Sequence, residues 1–200
     1  MNLRPEPSSR WPGVAGLLLA AVLAGCGGGN PIGNPPDVEN PVGTGGQKLS
    51  FAYFQKCIQP LLVRNITAPD GSTNTCASGG CHSSVSGTGG ALRIVDSAPL
   101  VDLGLTAEAI RATDMYKNYY SGRGVSIPGD ALQSRFLTKP LVRGVLHGGG
   151  QILGSDTDPV ALLIRYWIDH PLPEGQDEFS AAAYSMFTPA DPTTGSCNTP

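Results

Sequence analysis

Apolar residues along this chain gather in short periodic stretches separated by long segments rich in glycine, serine and threonine. From Gln47 to Val63, Phe51, Phe54, Ile58, Leu61 and Leu62 recur at helical spacing, so a first helix is expected there, interrupted by Pro60 near its end. Thr106 is placed to cap a second helix through about Tyr120, carrying Ala109, Ile110, Thr113, Met115 and Tyr116, with Ser121-Gly122-Arg123-Gly124 to end it. Asp130 is placed to cap a short helix from Ala131 to Thr138 whose inward residues would be Leu132, Phe136 and Leu137. The clearest pattern comes last. Val160, Leu163, Ile164, Trp167 and Ile168 follow the i, i+3, i+4, i+7, i+8 spacing, Asp156 to Asp158 suit the helix start, and Pro171 stops it. Between these stretches, Asn65 to Ser72 holds turn residues, and Ala91 to Leu105 mixes short apolar runs with Asp and Gly and fits neither period. The pattern predicts a mostly α domain over residues 47–174 with long Gly-rich loops, followed by a Pro/Thr/Ala-rich tail, 175–200, expected to pack loosely.

One apolar run has a different character. Val14 to Ala24 is apolar for eleven residues, too short to span a bilayer as a helix, and follows Arg4 and Arg10. It ends in Leu23-Ala24-Gly25-Cys26, which resembles the lipobox of bacterial lipoproteins. That resemblance implies that residues 1–25 are a signal peptide and that Cys26 becomes the lipidated first residue. The same resemblance implies, from Gly27 rather than an aspartate after that cysteine, the outer membrane over the inner, with the domain in the periplasm or at the cell surface. From Cys26 to Gly46 the chain is tether-like: of the twenty residues after Cys26, seven are Gly and four are Pro, a composition that buries nothing.

Charge narrows the classes of partner. The net charge of the whole chain is −3, and it shows neither a basic stripe nor an aromatic platform, so nucleic acid is an unsuitable partner. Gly-x-Ser-x-Gly, His-Glu-x-x-His and a phosphate-binding loop are also absent, so no nucleophile–base constellation points to a catalyst.

The chemistry that remains lies in Cys76-Ala77-Ser78-Gly79-Gly80-Cys81-His82. A cysteine pair followed at once by histidine is how a polypeptide takes up haem c. Both thiols add across the haem vinyl groups, and the adjacent imidazole is brought beneath the iron. The gap here is four residues rather than the usual two, and Gly79 and Gly80 are expected to let the extra length bulge outward at positive φ. The surrounding Ser72–Gly90 segment has few residues able to fill a core, which a large apolar cofactor would supply.

The chain also resembles a family. Phe54-Gln55-Lys56-Cys57-Ile58-Gln59-Pro60-Leu61-Leu62, the Cys76–His82 motif, Pro128-Gly129-Asp130 before Ser134-Arg135-Phe136-Leu137, and Tyr166-Trp167-Ile168 are in order and spacing similar to the single-haem cytochrome-c-like domains of bacterial lipoproteins. These domains are akin to the planctomycete-type cytochrome c domain, and the likeness covers roughly Phe51 to His170. It implies a cytochrome-c-like helical fold with Cys76 and Cys81 as thioether attachments and His82 as proximal iron ligand. Where many members place Met-Pro for the distal ligand, this chain has Leu146-His147-Gly148-Gly149-Gly150. His147, which opens a run of glycines, is the distal candidate, with Met115 as alternative and Met186 behind it. His170 suits a partner for the C-terminal end of the last helix.

Cys57 and Cys197 complete an even set of exported cysteines and are a possible disulfide, one that would pin the tail to the first helix. Two functions compete. One is a membrane-tethered cytochrome passing electrons to a redox partner protein. The other is a haem-free lipoprotein with a structural or binding role, stapled by disulfides such as Cys57–Cys76 or Cys76–Cys81. A zinc site from Cys57, Cys76, Cys81 and His82 is a third arrangement, made awkward by the adjacency of Cys81 and His82.

Overall fold

The computed structural model describes Gly46 to Thr199. The signal peptide, Cys26 and the tether as far as Gly45 lie outside the described residues. Among the described residues no helix is long and apolar enough to cross a membrane.

The first helix is built in three registers: α1 (Phe51–Tyr53), a π-helical stretch (Phe54–Ile58) and α2 (Gln59–Val63). It begins four residues later than the expected Gln47. Ser50 holds extended backbone, and its hydroxyl accepts from the Tyr53 amide, which fixes the start. The wider π turn falls just ahead of Pro60, which sits at the beginning of α2 where a missing N–H costs least. The helix is buried nearly all round, with Phe51, Tyr53, Phe54 and Ile58 fully enclosed.

The second predicted helix is two. Thr106 caps α3 (Ala107–Arg111), accepting from the Ala109 amide, and Thr113 then caps α4 (Asp114–Arg123), accepting from Tyr116. Thr113, expected along the apolar face, is therefore a cap instead, and its hydroxyl also bonds the Ile110 carbonyl. Asp130 caps a 3-10 turn (Ala131–Gln133), and α5 (Arg135–Thr138) follows. Because three residues per turn replace 3.6, Leu132 swings outward and is 48% exposed, contrary to expectation, whereas Phe136 and Leu137 are buried. The last main helix, α6 (Pro159–Asp169), carries Asp158 at its N-cap and Pro159 at its first position.

Trp167 of α6 is the centre of the core. It is fully buried, its Nε1 donates to the Ser50 carbonyl at 2.9 Å, and its ring packs against Phe54, Tyr119 and Phe136. Tyr119 in turn donates to the Leu49 carbonyl at 2.8 Å. Buried Gly122 lets α4 approach this cluster; a Cβ there would stand 3.2 Å from the Phe54 ring.

The tail is a correction to the expectation of loose packing. A 3-10 turn (Ala181–Met186) leads into a small antiparallel pair, β3 (Phe187–Thr188) and β4 (Ser196–Cys197). Met186 and Phe187 are buried, the Tyr53 hydroxyl donates to the Asn198 carbonyl, and Cys197 is disulfide-bonded to Cys57 with Cα atoms 5.9 Å apart. Glu178, also buried, accepts from Arg111 Nε and the Tyr116 hydroxyl at 3.1 and 2.8 Å. Burial pushes this carboxyl up, but its own backbone amide, Tyr116 and Arg111 outweigh that and hold it below the ordinary carboxylate range. A carboxylate with a depressed folded pKa adds stability that is full above its unfolded pKa and lost as pH falls through the folded value. Stability should therefore decline below about pH 4, and Glu178→Gln should flatten that decline in urea titrations run at successive pH values. An unchanged acid limb would assign the pH dependence elsewhere.

Candidate haem-binding site

The cysteine motif lies in a segment with almost no regular structure, so its order has to come from elsewhere. A two-residue hairpin, β1 (Ile66–Thr67) with β2 (Thr73–Asn74), leads in from α2. The Ala77 amide bonds the Leu62 carbonyl at 3.0 Å, which fastens the motif to the end of the first helix. Within the motif, the His82 amide donates to the Cys76 carbonyl at 2.9 Å and the Cys81 amide to the Ser78 carbonyl at 3.0 Å, so the four-residue gap is wound into turns. Neither Gly79 nor Gly80 has positive φ, so the bulge requires none of the freedom expected of them.

The glycines that matter come after the histidine. The Gly89 amide bonds the Cys81 carbonyl at 2.7 Å, and a Cβ at Gly89 would stand 2.6 Å from both that oxygen and His82 Cε1. A Cβ on Gly87 would meet the Ser83 backbone at 2.6 Å. Ser86 to Gly90 is thus a backbone strap that meets the His82 ring at Gly89. Beyond it, Ile94 is buried and its amide bonds the His82 carbonyl at 2.8 Å.

Side-chain amides of the helices hold the rest. Asn118 of α4, fully buried, accepts from the Val95 amide at 2.7 Å and donates to the Val95 carbonyl at 2.8 Å and to Gln59 at 3.0 Å. Gln55 makes a similar reciprocal pair with Val101, at 3.2 and 3.0 Å. This is how Ala91–Leu105 is ordered without helix or strand, and no period in the sequence announces it. Asn118→Ala should cost about 1–3 kcal/mol, the range for orphaning buried partners, measured as a lower urea midpoint at unchanged slope. A loss within 0.5 kcal/mol, the spread of ordinary surface changes, would mean that the segment is held by other contacts.

Opposite this strap stands the loop that carries His147. Its neck is closed by the Pro140 carbonyl, which accepts from both Ile152 and Leu153, and Leu153 is buried beneath it. Arg143 pairs with Asp156 across the loop. At the tip, the His147 carbonyl accepts from the Gly150 amide, while His147 Nδ1 bonds the Gly150 carbonyl at 2.7 Å.

The two loops bring the two histidines together. The His82 and His147 rings have centroids 6.1 Å apart and planes within 10° of parallel. His82 Nδ1 is likewise bonded to a main-chain carbonyl, that of Leu92, at 3.1 Å. In each ring Nδ1 is therefore committed to backbone and Nε2 is the nitrogen left for a ligand, the arrangement that orients metal-binding imidazoles. A ring centre would stand about 3 Å from a metal held by its nitrogen, so a centroid separation of 6.1 Å would leave room for one metal between the two rings. Burial, and then the neighbouring His147, hold the His82 pKa down, so His82 is neutral at pH 7 and able to ligate.

Cys76 and Cys81 are free thiols, both half-buried. Burial, and secondarily Cys81, push the Cys76 thiol up to about 11. The Ser78 hydroxyl between them is buried and has no partner. Val85 and Leu146, 94% and 87% exposed, are the two most exposed large apolar residues among those described, and each is close in sequence to one of the histidines. Met115 is buried in the core on α4 and Met186 is buried in the tail. His170, at the end of α6, bonds the Tyr166 carbonyl and stacks on the Tyr166 ring. Among the described residues no group of three or more His, Cys, Asp or Glu converges as a metal cage, so the zinc arrangement is not formed. The donor set, two neighbouring imidazoles with two thiols beside the first, is one that an iron porphyrin would use through its iron and its vinyl groups. Comparison of the chain with protein-family models, with curated proteins and with solved structures finds no match.

Proposed function

We propose that this chain is a c-type cytochrome, tethered to the bacterial envelope through Cys26 and carrying electrons between redox partner proteins through one haem. The observation that carries the reading is the facing pair His82 and His147, 6.1 Å apart and nearly parallel, with Cys76 and Cys81 beside the first. His82 would be the proximal ligand and His147 the distal one. The haem would supply a one-electron couple, and the protein would hold its axial ligands and leave one edge open. Attachment adds each thiol across a vinyl group: a C–S bond forms, the thiol hydrogen goes to the neighbouring carbon, and no oxidant is consumed. That requires both sulfurs as thiols. The Cys57–Cys197 bond fits this requirement, since it removes Cys57 as a disulfide partner for Cys76. Two imidazole ligands place the potential below that of His/Met cytochromes.

The test is a pyridine haemochrome spectrum of the full chain, produced with a cytochrome c maturation system and extracted with acid acetone. A c-type α-band surviving extraction supports the reading. A colourless chain with Cys76 bonded to Cys81 would replace it with the haem-free, disulfide-stapled lipoprotein.

A further inference from the structure

We propose that His82 and His147 form a clamp, complete before any sulfur chemistry, that captures ferric protoporphyrin with its vinyl groups intact and without a bond to Cys76 or Cys81. The inference rests on reading the chain as a haem protein, and it concerns how the haem is taken up. Every contact that aims the two rings is made by the main chain. Leu92 and Gly150 carbonyls hold the Nδ1 atoms, and the Gly89 strap lies against the Nδ1–Cε1 edge of His82. The neck of the distal loop is closed by the Pro140 carbonyl, and the motif loop is closed by the bond from His82 N to Cys76 O. None of these needs a thioether. The two ring centres already stand 6.1 Å apart with Nδ1 of each tied to the main chain, so bringing both onto one iron would require little reorganisation, and the ordering cost of a flexible site is avoided. The exposed Val85 and Leu146 offer apolar surface for a porphyrin to cover, a gain on the order of 25 cal/mol per Å² that is independent of covalent attachment. Iron ligation therefore comes first and positions the vinyl groups. Thioether formation follows on a haem already in place.

The experiment uses the full chain in detergent, from a host without cytochrome c maturation, titrated with ferric protoporphyrin IX. Saturation at one haem per chain is expected, with the spectrum of a six-coordinate low-spin iron. In that chain His147→Ala should raise Kd at least about tenfold, the loss typical even for outer-sphere partners of a metal ligand, and give a high-spin spectrum. His82→Ala should do the same. A Cys76→Ser/Cys81→Ser chain should bind as the parent does; if that variant loses its near-UV circular dichroism, the parent titration decides alone. Absence of saturable binding, or binding indifferent to both histidines, overturns the clamp. Covalent haem in the matured chain together with no capture by the unmatured one retires the clamp and leaves the cytochrome reading standing. Capture through both histidines with no covalent haem in the matured chain retains the clamp and retires the thioethers. Neither result overturns both.

Discussion

Replacing Cys57 and Cys197 with alanine should destabilise the domain by on the order of 5 kcal/mol, because the bond closes a loop of 140 residues' separation and loop entropy grows slowly with length. Domains of this size have only about 5–15 kcal/mol in total, so the variant would sit near the edge of folding at 37 °C. The structure gives a reason to expect the loss to be somewhat smaller. Glu178 with Arg111 and Tyr116, the Phe187 ring against Tyr53, and the Tyr53–Asn198 bond all hold the tail without the disulfide. Urea titration of the oxidised chain and the double variant decides between these. A fall in midpoint with unchanged slope locates the effect in stability, and a changed slope would show that the tail detaches while the helices persist. A loss below about 1 kcal/mol would mean that the tail contacts dominate and the loop-entropy account of this bond is wrong for this chain.

That tail also marks the limit of what the sequence discloses. Its only signal is arithmetic: an even set of exported cysteines that makes Cys57 and Cys197 natural partners. Pro, Thr and Ala say nothing of a buried Glu178 or of Met186 under the first helix. The helices were legible in proportion to their regularity. α6 has both a cap and an unbroken apolar period, and its limits fall where those signals put them. The first helix starts late because Ser50 caps it and because the Lys48 carbonyl, just upstream, accepts instead from the Leu172 amide, a partner no local rule names. Leu132 faces outward because a 3-10 turn stands where the apolar period assumes an α turn. At the site, the Cys-Cys-His motif is local and could be read directly, and His147 stood out because the chain has only three histidines. The bonds that bring them together join Leu92, Asn118, Pro140 and Gly150, and are set by the tertiary fold. A buried Asn or Gln on a helix, such as Asn118 or Gln55, is the one hint that an irregular segment is pinned beside it.

The glycines of the motif region separate two roles that sequence alone runs together, and this yields the sharpest expected result. Gly80, between the cysteines, has open space where a Cβ would go and no positive φ, so Gly80→Ala should leave stability unchanged and, on the proposed cytochrome reading, haem loading too. Gly89 has none. A methyl there must displace either the His82 ring or the Cys81 carbonyl, each 2.6 Å away or nearer, and the Cys81 carbonyl is also where the Gly89 amide bonds. Overpacking of this kind costs about 1–3 kcal/mol when the neighbours must shift. The ring is the softer of the two, since one bond from Nδ1 to Leu92 holds it, whereas the carbonyl is part of the motif backbone. Gly89→Ala should therefore tilt His82 away from His147 and, on the proposed cytochrome reading, weaken haem binding by about 10–100-fold, as loss of a ligand's supporting shell does, with a smaller effect on the urea midpoint. The paired measurement is the Soret absorbance per chain of matured Gly80→Ala and Gly89→Ala proteins against the parent, with ferric protoporphyrin titrations of the unmatured chains beside it. Equal loading of the two variants would mean that the strap does not aim His82 and that the ring finds the iron by its own freedom.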